Sequence, residues 1–215
     1  ISQRLAKEFL ARFPGIPVVS VEFPVDGCSL VQFDTRKGFN ATLDHLIQVH
    51  GRQRIAFAVE GDQAMEERGG VFIEMMRERG LYNPALVGNL LDFVEYGFVP
   101  GVDFDAIISF SDVVAVKVIN DLRDMGYMVP QDVAVTGFND GQEARGGVPP
   151  LTSVRLPFRW AGQRAVDLLI DQIEGKVNSP QIESVDTYLI TRRSCGCLEP
   201  MAEEAAASTQ PLPET

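Results

Sequence analysis

Basic residues, cysteine and histidine are all scarce in this sequence of 215 residues. Lys and Arg number 19 against 30 Asp and Glu, a formal net charge of −11. Phosphate binding needs clustered Lys and Arg, so this balance argues against a strongly basic nucleic-acid surface on these residues. Three cysteines are too few, and odd in number, for a disulfide framework. Either a reducing compartment or incidental cysteines are implied, and the cytoplasm is the expected location. No apolar run approaches the roughly 18 residues that span a bilayer, so no membrane segment is expected. The start, Ile1-Ser2-Gln3-Arg4, has no charged n-region, apolar h-region or initiator Met and reads as part of something longer.

Catalytic signatures are missing too. There is no G-x-x-x-x-G-K-[ST] phosphate loop, no H-E-x-x-H and no G-x-S-x-G elbow. No paired base and nucleophile stands out, so the expectation is a protein that is not an enzyme, with no catalytic residue, no cofactor and no metal. The two histidines, His45 and His50, are five apart, which on an α-helix puts them on different faces and suits a surface or helix-dipole role. Cys195-Gly196-Cys197 is a lone C-x-C without two further ligands, a weak metal pattern.

What is present is a globular chain, 45% hydrophobic and 23% charged. Apolar spacing predicts helices over Leu5–Phe13, from Phe39 to Gly51, through Phe72, Met75 and Met76 to Gly80, through Val114 and Leu122 to Gly126, and through Trp160 and Ile173 to Gly175. Between them lie short apolar runs suited to buried strands: 16–21, 29–33, 54–59, 106–110, 133–135 and, near the end, 188–191. Alternating strands and helices with short loops argue for an α/β fold with mostly parallel sheets. After Leu198 the sequence is acidic, Ala-rich and aperiodic, a tail or the start of a linker.

In open parallel sheets ligands sit outside the carboxyl ends of the strands. Those positions are polar here: Asp34, the loop with Gly61 and Asp62 leading to Arg68, Ser111 with Asp112, and Asn139 with Asp140. Flanked by Phe33, Phe110 and Phe138, they suit a polyhydroxylated small molecule. Each has a plainer reading as well. Asp112 directly precedes a helix and fits an N-cap, Asp140 beside Gly141 fits turn chemistry, and Arg68 could pair with Glu66 or Glu67 on the surface.

The ordered segments IPVVSVE (16–22), HLIQVHGRQRIAFAVEG (45–61), ERGGVFIEMMRERG (67–80), FDAIISFSD (104–112), MGYMVPQDVAVTGFND (125–140), PPLTSVRLPF (149–158) and LITRRSCG (189–196) carry a resemblance. Together they resemble the effector-binding domain of the lactose/galactose repressor (LacI/GalR) family. The resemblance implies a bilobal periplasmic-binding-protein-like α/β fold with three interlobe crossings. It implies a first lobe from 1–33 and 156–185, a second from 34–155 and 186–197, and a tail or linker over 198–215. Carried over by position, Arg68 matches the arginine that clamps the effector, and Ser111, Asp112 and Asn139 fall among the polar contacts. Phe33 and Phe158 match aromatic lining positions, and Glu22 an acidic contact. Ser111 stands where many members have Asn, and Asn139 where many have Asp. Between Val87 and Phe104 the chain is shorter than the usual strand-plus-helix insert.

The same resemblance implies a ligand-sensing domain of a LacI/GalR-type regulator, closing its lobes on a sugar-like effector. Homodimers are implied, with DNA touched only by a module absent from this chain. Two alternatives stay open: the same sensor joined to a diguanylate cyclase or histidine kinase, or a periplasmic-type sugar-binding protein.

Overall fold

A computed structural model describes residues 3–60 and 68–198. The chain forms two compact units, one from residues 1–34 and 157–186, the other from 35–156 and 187–215, so it passes between them three times.

The smaller unit is a parallel three-stranded sheet in the order β1 (Val19–Val21), β2 (Ser29–Phe33), β8 (Ile182–Val185). Helix α7 (Phe158–Ile173) lies on β1 and β2 and buries Ala161, Ala165 and Leu168. These small and medium residues recur at i, i+4 and i+7, which keeps one stripe against the sheet. Helix α1 (Gln3–Arg12) belongs to the same unit.

The larger unit holds a six-stranded sheet in the order β4 (Val87–Gly88), β3 (Ile55–Ala58), β5 (Ala106–Ser109), β6 (Ala134–Asn139), β7 (Thr152–Arg155), β9 (Tyr188–Ile190). All neighbours are parallel except β7 and β9. Every residue of β3 and β5 is buried, which is why those strands read as continuous apolar runs rather than alternating ones. Around the sheet lie α2 (Thr35–Asp44), α3 (Gly70–Glu78), α4 (Leu90–Glu95), α5 (Asp112–Asp124) and α6 (Gln142–Gly146). Phe39, Phe57, Phe72 and Phe138 form one part of the core, with Phe57 and Phe72 stacked at 4.9 Å. A second part gathers Ile107, Val118, Leu122, Val133 and Phe104.

Segment 87–104, short for a strand-plus-helix insert, holds both elements in miniature, the two-residue β4 and the six-residue α4. The helix is capped by Asn89, whose side chain accepts from the Leu91 N–H. Two features, the length of β6 and the helix type after Asp44, depart from the sequence reading. Strand β6 runs on to Asn139, well past Val135. The helix after Asp34 stops being an α-helix at Asp44 and continues as a π-helix over His45–Val49.

Candidate functional site

β3 has β4 on one side and β5 on the other, so the strand order reverses direction between β3 and β5. The carboxyl ends of strands beside such a reversal are where open α/β sheets place their ligands. Arg68 follows β3 in the chain and reaches across this point. One guanidinium nitrogen donates to the carbonyl of Phe110, just past β5, at 2.7 Å. Another donates to Asn139 Oδ1, the last residue of β6, at 3.3 Å. Its plane lies over the rings of Phe138 and Phe110, 4.2 and 4.8 Å from their centroids. A planar delocalised cation suits this combination of fork and stacking; an ammonium would not. Only 9% of Arg68 is exposed. Its sequence-suggested partners Glu66 and Glu67, with Gly61 and Asp62, lie outside the described residues.

The backbone at the end of β6 is strained. Among the described residues only Glu22, Asn139 and Asp140 have positive φ without being glycine, at 70°, 112° and 55°. Such conformations persist where surroundings over-determine them, and here the surroundings can be named. The Asp140 carboxylate is fully buried and accepts from Arg155 Nε at 2.7 Å and from Arg192 at 2.6 Å, while its backbone N–H donates to Ser153 Oγ. Asp140 is therefore an ionic anchor, not simply turn chemistry.

Asp112 is also spoken for. The N-cap of α5 is Ser111, whose Oγ accepts from Val114 N, and the Asp112 carboxylate instead points inward. It accepts from Ser153 Oγ and from the Gly141 N–H at 2.5 and 2.7 Å and is 2% exposed. Burial pushes its pKa up, opposed by the bonds from Ser153 and Gly141. The helix start sits so close to β6 that a Cβ on Gly137 would fall on Asp112 Oδ1 and 2.7 Å from Leu151 Cδ2. With its carboxylate engaged by protein donors, Asp112 reads as a strut that ties α5 to the loop after β6.

The structure thus brings Arg68 and Asn139 together, with Phe110 beside them; Ser111 follows Phe110 as the α5 cap. Phe138 is fully buried, so it backs Arg68 and does not offer the surface expected of it. On the smaller unit, Phe33 and Phe158 meet edge to face at 5.1 Å, Phe33 5% exposed and Phe158 55%. Glu22 Oε2 accepts from the backbone N–H of Phe33 at 3.1 Å.

The two histidines are also placed unexpectedly. In the π-helix, i to i+5 bonding turns residues five apart toward each other, and His45 and His50 meet with Nε2 atoms 3.1 Å apart. His45 is buried, not on the surface. Burial, and then the nearby His50, drives its pKa down to about 4. Cys195 and Cys197 supply two more donor atoms at the same place, and burial with the neighbouring Cys195 raises the Cys197 thiol to about 11.

Comparison with known proteins gives the same frame. The sequence pattern of the periplasmic binding protein-like domain matches residues 43–195. The chain belongs to that family. Relatives of this periplasmic binding protein-like chain include the HTH-type transcriptional regulator CelR of Thermobifida fusca. It is 30% identical over 199 residues, 84% of this chain and 57% of that protein. The HTH-type transcriptional repressor MelR of Bacillus subtilis is 36% identical over 104 residues, 48% of this chain and 29% of MelR. The chain thus spans well under two thirds of either regulator. A solved complex of CelR with cellobiose superposes with a TM-score of 0.74 at 25% identity, over 89% of this chain and 69% of that one. A lac repressor dimer bound to operator shares the fold, with a TM-score of 0.76 at 18% identity over 91% of this chain and 61% of that one.

Proposed function

We propose that this chain is the effector-sensing domain of a LacI-type transcriptional regulator and that its effector is a small, neutral, polyhydroxylated molecule. Carrying the reading is Arg68, a buried guanidinium fork laid across the strand-order reversal and bonded to Asn139 in a strained backbone. Both nearby carboxylates, Asp112 and Asp140, are committed to protein donors. Ligand hydroxyls would therefore meet the Ser111 hydroxyl, the Asn139 amide and the Arg68 fork, over the ring of Phe110. Hydroxyl and amide groups beside an aromatic face suit sugar hydroxyls, and the cellobiose complex of CelR supports a neutral sugar as the ligand class. On the smaller unit, Phe158 is proposed as an apolar contact backed by Phe33, and Glu22 as a polar one.

The remaining parts of the proposal concern the whole protein. DNA contact through a module outside these residues is supported by relatives that are HTH-type regulators. A homodimer is supported by Leu5, Phe9 and Phe13, which leave the apolar side of the α1 segment exposed. A cytoplasmic site of action fits three unbridged cysteines. No chemistry on the bound ligand is proposed. Signalling requires the effector to bind one conformation more tightly than another, since equal affinity shifts nothing.

A thermal-shift screen against sugars, sugar phosphates, nucleosides and polyols tests the reading. Saturation at 100 times Kd adds about 2.7 kcal/mol of stability, a visible shift in melting temperature. A neutral sugar hit whose shift disappears in Arg68→Ala is expected. A cooperative melt with no hit across the panel would overturn it.

A further inference from the structure

We propose that His45, His50, Cys195 and Cys197 form a closed tetrahedral site for a divalent metal of the zinc class. The four donor atoms lie within 4.8 Å of one another, although the two pairs are about 150 residues apart in sequence. They come from the π-helix at the end of α2 and from the turn after β9, both within the larger unit.

Distances argue for a metal over a plain hydrogen-bonded cluster. With Zn–N near 2.05 Å and Zn–S near 2.3 Å, the edges of a tetrahedral site are about 3.3 Å for N to N and about 3.5 Å for N to S. Here His45 Nε2 lies 3.1 Å from His50 Nε2 and 3.4 Å from each sulfur, and Cys197 Sγ lies 3.5 Å from His50 Nε2. His45 Nε2 thus faces three heteroatoms but has either one proton or one lone pair to offer. Hydrogen bonding can satisfy one of those contacts at His45; a cation at the centre satisfies all three. The Thr152 hydroxyl, 3.0 Å from Cys195 Sγ, is placed to donate to its thiolate, and the Arg192 carbonyl, 3.2 Å away, accepts from the thiol when no metal is bound.

The local backbone fits the same purpose. A π-helical turn brings residues five apart onto one face, which an α-helix does not. Gly196, between the two cysteines, has φ 116° and would place a Cβ 3.1 Å from the His50 ring, so the bend that turns Cys195 Sγ toward His45 and Cys197 Sγ toward both histidines needs glycine. On binding, each thiol releases its proton to solvent and ligates as thiolate, and each imidazole ligates through neutral Nε2 with its proton on Nδ1. Four protein ligands leave no open position, so the site is structural: it fastens the turn at 193–197 to the end of α2.

The test uses the whole protein, purified with a non-thiol reductant, stripped by chelator and titrated with Zn(II) and Co(II). Expected are one equivalent of Zn(II) per chain by elemental analysis and a rise in melting temperature. Co(II) should give the intense visible bands of a tetrahedral centre together with thiolate charge transfer. Cys197→Ser and His50→Gln, both only part-buried, should each weaken Zn(II) binding by at least about 100-fold, more than loss of an outer-shell contact costs. The metal-free melt of each variant should match that of the metal-free parent, separating ligand loss from misfolding. An octahedral Co(II) spectrum, no bound Zn(II) after reconstitution, or unchanged affinity in both variants would overturn the proposal.

Discussion

Asp140→Ala removes the carboxylate that holds the end of β6 and should be among the most costly substitutions in the larger unit. Its side chain is fully buried, while those of Arg155 and Arg192 are 21% and 13% exposed, so truncation strands two largely buried cations. Breaking a buried ion pair from one side costs about 3–5 kcal/mol. Arg145, 64% exposed and 3.5 Å away, adds little. Arg192 retains its bond to the Leu151 carbonyl at 2.6 Å, which places the loss toward the lower end of that range. For a domain of this size each kcal/mol moves the melting temperature about 2–4 °C, so a drop of about 6–12 °C is expected for a cost near 3 kcal/mol. Thermal and urea unfolding by circular dichroism measure it. The double variant Asp140→Ala, Arg192→Ala should lose less than the sum of the two single variants, because the stranded cation is gone. An Asp140→Ala melt within about 2 °C of the parent would refute the reasoning, since on this slope it implies a cost near 1 kcal/mol or less.

Asn139→Gly removes the strain at φ 112° along with the amide that accepts from Arg68. Its stability should stay within about 1 kcal/mol of the parent while effector response falls, read by melting with and without the screened ligand. Gly137→Ala forces a methyl onto Asp112 and Leu151 and should cost about 1–3 kcal/mol in urea unfolding, with an unaltered midpoint contradicting the close approach. Asp112 has its pKa raised by burial, so its contribution to stability is greatest when protonated, below the ordinary 3.8, and is lost as pH rises through the folded value. Asp112→Asn does not titrate, so its stability relative to the parent should be more favourable at pH 7 than at pH 4; the reverse order would contradict the buried, desolvated carboxylate.

Much of the architecture is legible in the sequence because burial leaves a pattern. β2 is read at its observed bounds, and β3 and β5 within a residue or two, as runs with no polar face. Elements without that pattern are not legible. β7 buries Thr152 and Ser153, whose hydroxyls engage Arg192, Asp112 and the Asp140 N–H. β8 is an edge strand that starts with an exposed Ile182. Arg68 is identifiable because a lone arginine after a strand and before Gly69-Gly70 has few structural uses. The anchoring role of Asp140 depends on Arg155 and Arg192, which only the sheet order β6-β7-β9 brings beside it. The Cys-His cluster is hidden from the sequence because α-helical spacing separates His45 from His50 and because its two halves lie far apart in the chain.

The central claim is that Arg68 holds an effector at the strand-order reversal. The most direct measurement titrates the ligand found by screening into the parent protein and into Arg68→Ala by calorimetry. Saturable one-to-one binding by the parent and none by the variant is predicted, with both proteins melting cooperatively. Equal binding by the two would contradict it.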